Sequence, residues 1–403
     1  MKQAFYHAEV ITPERILHDG YVVIENGKII GVGVGFQKDG FDGETIDAGE
    51  NYLAPGFIDI HVHGGGGHDF MDGTKEAYLE AAKMHARYGT TALLPTTLTS
   101  TNEELKNTFQ VFEQVKEMEN DGAKMLGLHL EGPYFAPQYA GAQDPRYIKS
   151  PNREEYERIY EWSKGNIIRW SAAPELPGSA EFGSFLKEKG ICASIGHSGA
   201  NEHDCILAYE NGFNHITHLY CAMSTIVRKQ GYRSLGVIES AYLIDGMTVE
   251  IIADGCHLPK GLLQLVYKCK GADRIALCTD AMRGAGMPEG ESILGSRKDG
   301  QKVFVKDGVA FLRDFSAFAG SVCTADRLVR TMVQLAEVPL ADAVKMMTLT
   351  PARIIKADRR KGSIAMHKDA DLVLFDADIQ VKMTMVEGRI VYQKAQKEAP
   401  FGK

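Results

Sequence analysis

Eight short apolar runs, alternating with segments of helical periodicity, constrain this chain more than any other feature. The runs are Phe57 to His63, Thr90 to Pro95, Lys124 to Glu131, Ile167 to Ala173, Ile191 to His197, Asn214 to Ala222, Thr248 to Asp254 and Arg274 to Asp280. Between them, Thr74 to Tyr88, Asn102 to Met118, Asn152 to Ser163, Asn201 to Asn211 and Lys260 to Lys270 read as amphipathic helices. Each run has the length of a buried strand, and strands that alternate with helices become parallel neighbours in a sheet. Eight such units predict an α/β fold of the (β/α)8 TIM-like type, with its active site at the C-terminal ends of the strands. After the eighth run, Thr324 to Glu337 and Leu340 to Thr348 are predicted to be helices.

Both ends of the chain carry β patterns of another kind. Tyr21-Val22-Val23-Ile24-Glu25 and Lys28-Ile29-Ile30-Gly31-Val32 flank Asn26-Gly27, a dipeptide that accepts the positive φ angles of a two-residue hairpin turn. Ala370 to Phe375 and Met385 to Tyr392 are strand-like at the other end. The expected organisation is therefore a small β domain from residues 1–53 and 355–403, with a barrel over 54–354 inserted between its halves. The glycines of Gly31-Val32-Gly33-Val34-Gly35 follow a hairpin and open no helix, so they do not read as a nucleotide loop.

A formal net charge of -8 argues against a general nucleic-acid surface, so any anionic ligand must meet a local basic pocket. No apolar run is long enough to span a bilayer, and the first residues lack a signal-peptide core; a cytoplasmic protein without a membrane partner is expected. The seven cysteines are an odd number with no C-x-x-C pair, and they read as reduced side chains.

The chemistry lies where the runs end. His61 and His63 share one face of the first strand, because successive strand side chains alternate. The third run ends in His129-Leu130-Glu131-Gly132-Pro133, the fifth in Gly196-His197-Ser198, the sixth passes through Thr217-His218-Leu219, and the eighth ends in Thr279-Asp280-Ala281. Taken singly, each has an ordinary explanation, such as a helix cap for Asp280 or a core position for His218. Together they place metal-binding and acid/base side chains at one end of one barrel. Glu131, His197 and His218 suit Zn²⁺ or another divalent metal and leave a position for water, while Asp280 suits a proton carrier. This combination points to hydrolysis of a C–N bond.

Those segments, with Pro55-Gly56-Phe57-Ile58-Asp59, Thr217-His218-Leu219-Tyr220 and Ala253-Asp254-Gly255-Cys256-His257, resemble the amidohydrolase superfamily, and within it the deacetylases of N-acetylated amino-sugar 6-phosphates. The resemblance covers nearly the whole chain and implies a barrel with a small β-sandwich domain, usually in a homodimer, that releases acetate from N-acetylglucosamine 6-phosphate. It implies that Glu131, His197 and His218 hold the principal ion, that His61 and His63 help to hold a second, giving one or two ions per subunit, and that Asp280 does acid/base work. On the substrate side it implies Gln143 with its neighbour Ala142, Cys221 with Ala222, and Arg228 and His257 toward the phosphate, the arginine in some relatives coming from the partner subunit. The chain departs from the family where Cys221 replaces a usual Asn, in a shortened loop around Arg228, and at Phe315-Ser316-Ala317-Phe318-Ala319-Gly320-Ser321. Other N-acetylated substrates, such as N-acetylgalactosamine 6-phosphate or an unphosphorylated N-acetyl sugar, and a non-catalytic sugar-phosphate-binding role are the competing readings. A dihydroorotase-type enzyme is disfavoured because Ile167 to Ala173 offers no lysine.

Overall fold

The computed structural model describes residues 2–395; Met1 and 396–403 of the expected small β domain lie outside the described residues. Eight parallel strands form the barrel: Phe57–Val62, Thr90–Thr97, Leu128–Glu131, Ile167–Ala172, Cys192–Ile195, Phe213–Ile216, Thr248–Ile251 and Ile275–Leu277. Each pairs in parallel with the next. The last and first meet just beyond the ladder, where the Asp280 N–H donates to the His61 carbonyl at 2.9 Å and the Thr279 hydroxyl to Asp59 at 2.5 Å. All eight predicted strands form, although the third run is broken at Leu126-Gly127, where Gly127 has a φ of 153°, so that Lys124–Met125 stands as a separate short strand beside the second. The sixth stops at Ile216 rather than continuing to Ala222, because His218, Tyr220 and Ala222 have φ of 27°, 81° and 46°, which no strand accommodates.

The helices follow from their sequence signals. In the helix Asn102–Val115, Thr101 and Glu104 form a capping box that satisfies the first-turn N–H groups. Leu105, Phe109 and Phe112 then fall on one buried face at helical spacing, each burial contributing about 1.5–3 kcal/mol. The two helices expected after the barrel are Ala325–Gln334 and Leu340–Met347.

The two ends of the chain are woven into one eight-stranded sheet, as the terminal β patterns imply. Its order runs Arg389–Gln393, Val381–Val386, Leu372–Phe375, Tyr52–Pro55, Lys2–Ile11, Ile16–Glu25 and Lys28–Val34, with Glu44–Asp47 added beside Lys2–Ile11. Asn26 and Gly27, at φ 50° and 75°, make the hairpin turn. One element was not anticipated: a four-stranded antiparallel sheet of Gly290–Leu294, Gln301–Lys306, Val309–Leu312 and Phe318–Ser321 stands between the eighth barrel strand and the following helices. Its central turn is Asp307-Gly308, a hairpin signal present in the sequence to which no element was assigned.

Outside the barrel mouth, the buried Lys270 donates to the carbonyls of Ala241 at 2.8 Å and Ile244 at 3.2 Å. Desolvation lowers its pKa to about 8, against 10.5 for an ordinary lysine. Between those values the unfolded chain binds the additional proton, so this group makes stability rise as pH increases through that window. The unfolding free-energy difference between wild type and Lys270→Met is expected to shift in favour of wild type from pH 8 to pH 10.5. A difference independent of pH would overturn the assignment.

Candidate active site

The strand-end side chains meet at the C-terminal mouth of the barrel. Glu131 Oε1 lies 3.1 Å from His197 Nε2 and 3.0 Å from His218 Nε2, and those two nitrogens are 3.2 Å apart. Beside them, His61 Nε2 and His63 Nε2 are 3.3 Å apart, with Asp280 Oδ1 at 3.4 Å and 3.1 Å respectively. Glu131 touches both groups, its Oε2 lying 3.3 Å from His63. All six residues are buried.

The backbone that presents them is unusual. His197, His218 and Asp280 have φ of 49°, 27° and 46°, left-handed values that cost free energy in residues with a Cβ. These three residues, following the fifth, sixth and eighth strands, aim their side chains inward rather than along the ladder. Each is tethered: the Ala136 N–H donates to the His197 carbonyl at 3.0 Å, the His218 N–H to Glu250 at 3.1 Å, and the Ser321 N–H to the Asp280 carbonyl at 2.8 Å.

These donors fit a divalent ion. His197 Nδ1 faces the Tyr139 carbonyl at 2.9 Å and must donate to it, which leaves the Nε2 lone pair directed at Glu131 and His218. Lone pairs converging at about 3 Å repel unless a cation lies among them, and imidazole with carboxylate is a donor set suited to zinc and its neighbours. At the mouth, two three-donor groups, Glu131–His197–His218 and His61–His63–Asp280, each have their donor atoms within 4.8 Å of one another; a third such group, His61–Glu250–Cys278, lies deeper in the barrel. Burial disfavours charge on Glu131, yet His61, His197 and His218 hold its carboxyl well below the usual carboxylate range. Asp280 is likewise lowered against its burial by His61 and His63.

A cavity of about 480 Å³ opens over this cluster. Ala142, Gln143, Cys221, Ala222 and His257 line it, as do His63, Glu131, His197, His218 and Asp280. Gln143 is oriented from both ends of its amide: Oε1 accepts from the Thr99 N–H at 2.8 Å, and Nε2 donates to Glu131 Oε2 at 2.6 Å, so one amide N–H already serves the carboxylate. His257 is held by Asp254, whose Oδ2 is 2.8 Å from Nδ1. No lysine or arginine lines the cavity among the described residues. Arg228 is not brought there; it stands exposed on a separate hairpin of Val227–Lys229 and Tyr232–Ser234.

Two participants were missed in the sequence. Arg169 and Glu250, in the fourth and seventh strands, form a fully buried ion pair beneath the histidines. The signal was available, since a charged residue inside an apolar run is almost never buried unless paired.

A (β/α)8 barrel with imidazoles and carboxylates converging at its strand ends defines a metal-dependent hydrolase, and the chain belongs to the amidohydrolase family, whose model matches residues 52–391. Among individual relatives, it is 33% identical over 386 residues to N-acetylglucosamine-6-phosphate deacetylase of Bacillus subtilis (strain 168), covering 95% of each chain. It is 32% identical over 338 residues to N-acetylgalactosamine-6-phosphate deacetylase of Escherichia coli O157:H7, covering 84% of this chain and 87% of that one. The crystal structure of N-acetylglucosamine-6-phosphate deacetylase from Pasteurella multocida superposes with a TM-score of 0.89 at 30% identity, covering 97% of this chain and 99% of that one.

Proposed function

We infer that this chain is a metal-dependent deacetylase that converts N-acetylglucosamine 6-phosphate to glucosamine 6-phosphate and acetate. The observation that carries the reading is the convergence of Glu131, His197, His218 and Asp280 at one end of the barrel, in a chain that matches deacetylases of this substrate over nearly its full length. Glu131, His197 and His218 would hold the principal ion, and His61 and His63 a second. A divalent ion in this place acidifies water and draws electron density from the acetyl carbonyl, the two effects that amide hydrolysis needs near neutral pH.

The chain's own residues do the rest. Asp280, ionised and close to His63, accepts a proton from the attacking water and delivers it to the departing nitrogen as the C–N bond breaks. Its backbone is fixed to the first strand through the His61 carbonyl, which keeps the residue beside the histidines through both transfers. The second N–H of Gln143 is free to donate to the carbonyl oxygen as negative charge develops there. His257, oriented by Asp254, supplies a donor for the phosphate, and Arg228 of the partner subunit in a homodimer reaches that anion, a reading supported by the lack of a guanidinium in the cavity lining among the described residues. A cytoplasmic location accords with a phosphorylated substrate; among the described residues no helix is long and apolar enough to cross a membrane.

The same site on N-acetylgalactosamine 6-phosphate is the second reading, favoured by the Escherichia coli relative named for that substrate. Initial rates of acetate release should rank N-acetylglucosamine 6-phosphate first, its galacto epimer second and the unphosphorylated sugar last. Dialysis against a chelator should abolish release, and Zn²⁺ or another divalent ion should restore it. Preference for the galacto epimer would transfer the assignment to it, and acetate release that survives chelation would remove the metal from the chemistry.

A further inference from the structure

The Arg169–Glu250 pair does more than neutralise itself. Glu250 Oε1 lies 2.6 Å from His61 Nδ1 and also accepts the His218 backbone N–H at 3.1 Å. Its other oxygen is bound by Arg169. Arg169 then reaches three further places: Nη1 donates to the Ile60 carbonyl at 3.2 Å, Nη2 to the Thr217 hydroxyl at 2.9 Å and Nε to the Ser194 hydroxyl at 2.9 Å, while the Thr217 hydroxyl continues to Ser171 at 2.8 Å. Ile60 and Thr217 immediately precede His61 and His218 in the chain. One buried guanidinium on the fourth strand therefore touches the residues beside both ligands, and one carboxylate on the seventh holds both ligands themselves.

The direction of the His61 contact decides what that ring can do. A carboxylate paired with arginine only accepts, so Nδ1 carries the proton and Nε2 is the bare nitrogen facing His63, Asp280 and Glu131. Glu250, His61 and Cys278 also group as potential ligands, with donor atoms within 4.8 Å of one another. Arg169 already occupies the carboxylate, and all three side chains are sealed inside the barrel, so this group supports the ring rather than binding an ion of its own. His218 differs from His61: its ring Nδ1 has no partner among the described residues, and Glu250 holds only its backbone.

Building on the two-ion reading above, we propose that Arg169 and Glu250 are a positioning pair that fixes the His61 tautomer and thereby sets the affinity of the ion held by His61, His63 and Asp280. The ion at Glu131, His197 and His218 depends on the pair much less. Supporting partners of this kind typically change metal affinity about 10- to 100-fold.

Two double variants separate the acceptor from the ion pair. Arg169→Met/Glu250→Leu removes the charge and the acceptor, whereas Arg169→Met/Glu250→Gln removes the charge but leaves an amide oxygen beside His61 Nδ1. Wild type and both variants are titrated with Co²⁺ after chelator treatment, following the visible absorption of each bound ion, and with Zn²⁺ against a chromophoric competitor. Thermal melts and circular dichroism confirm that each variant is folded. The wild type should take up two ions, the Leu variant should bind one of them about 10- to 100-fold more weakly, and the Gln variant should stay near wild type. Equal affinities in the two double variants would overturn the positioning role while leaving the two-ion reading intact. A wild type that takes up a single ion would instead remove the two-ion reading, and the proposal with it.

Discussion

Asp280→Asn should lower kcat for acetate release by about 10²- to 10⁴-fold, the range that a positioned proton carrier contributes. The substitution is nearly isosteric and keeps the backbone contacts that fix residue 280, the N–H to the His61 carbonyl and the carbonyl accepting from Ser321. Folding should therefore be preserved. Glu131, His197 and His218 do not depend on the Asp280 side chain for their mutual contacts, so at least one equivalent of metal should remain bound. An amide oxygen cannot take up a proton near neutral pH, so both proton transfers fail together. Turnover close to wild type in a metal-replete Asp280→Asn protein would exclude Asp280 as the carrier.

The largest expected loss of stability comes from a pair at the other side of the same mouth. Arg283 is buried and meets Asp72 through two nitrogens, at 2.8 Å and 3.2 Å, and it also donates to the carbonyls of Ile293, Gly67 and Gly295. These contacts join the segment after Asp280, the glycine-rich loop after His63 and the antiparallel sheet that follows the barrel. Arg283→Met leaves Asp72 as a buried carboxylate with its main counter-charge gone and three carbonyls without that donor, and should cost about 3–5 kcal/mol in urea unfolding. Arg283→Met/Asp72→Asn should recover part of that loss, because the penalty lies mainly in the stranded charge. A single variant within 1 kcal/mol of wild type would show that the neighbouring Arg297, which approaches Asp72 at 3.6 Å, is a sufficient substitute.

The barrel was legible in the sequence because its signal is local: a strand of four to eight apolar residues, a loop and an amphipathic helix each fit inside a short window. The histidines and carboxylates were legible for a related reason. In a parallel barrel every strand's C-terminal end faces the same way, so residues far apart in sequence can be assigned to one place without knowing the register. Glu250 and Arg169 escaped because they lie inside their runs, where only the register shows that their side chains point at each other and at His61. The end of the sixth strand was misjudged since nothing in Thr217 to Ala222 marks three left-handed residues. The antiparallel sheet was overlooked for a different reason: its Asp-Gly turn sits between the eighth run and the following helices, in a stretch outside the repeating strand and helix pattern. The distance of Arg228 from its own cavity is a property of a hairpin whose placement the sequence does not specify.

The terminal sheet carries a consequence for how the molecule is made. Tyr52–Pro55 pairs on one side with Lys2–Ile11, which precedes it, and on the other with Leu372–Phe375, more than three hundred residues later. At a ribosomal rate of about 5–20 residues per second, the first pairing is available roughly 15–60 s before the second. For that interval the nascent chain presents an open strand edge directly ahead of the strand that carries His61 and His63. Stalled chains ending before residue 370 should be cleaved by protease near Tyr52 to Pro55 faster than chains extending past Val386. The strand that leads into the first barrel strand thus keeps one edge open until Leu372–Phe375 has been made, and only late in synthesis is that edge covered against pairing with another chain.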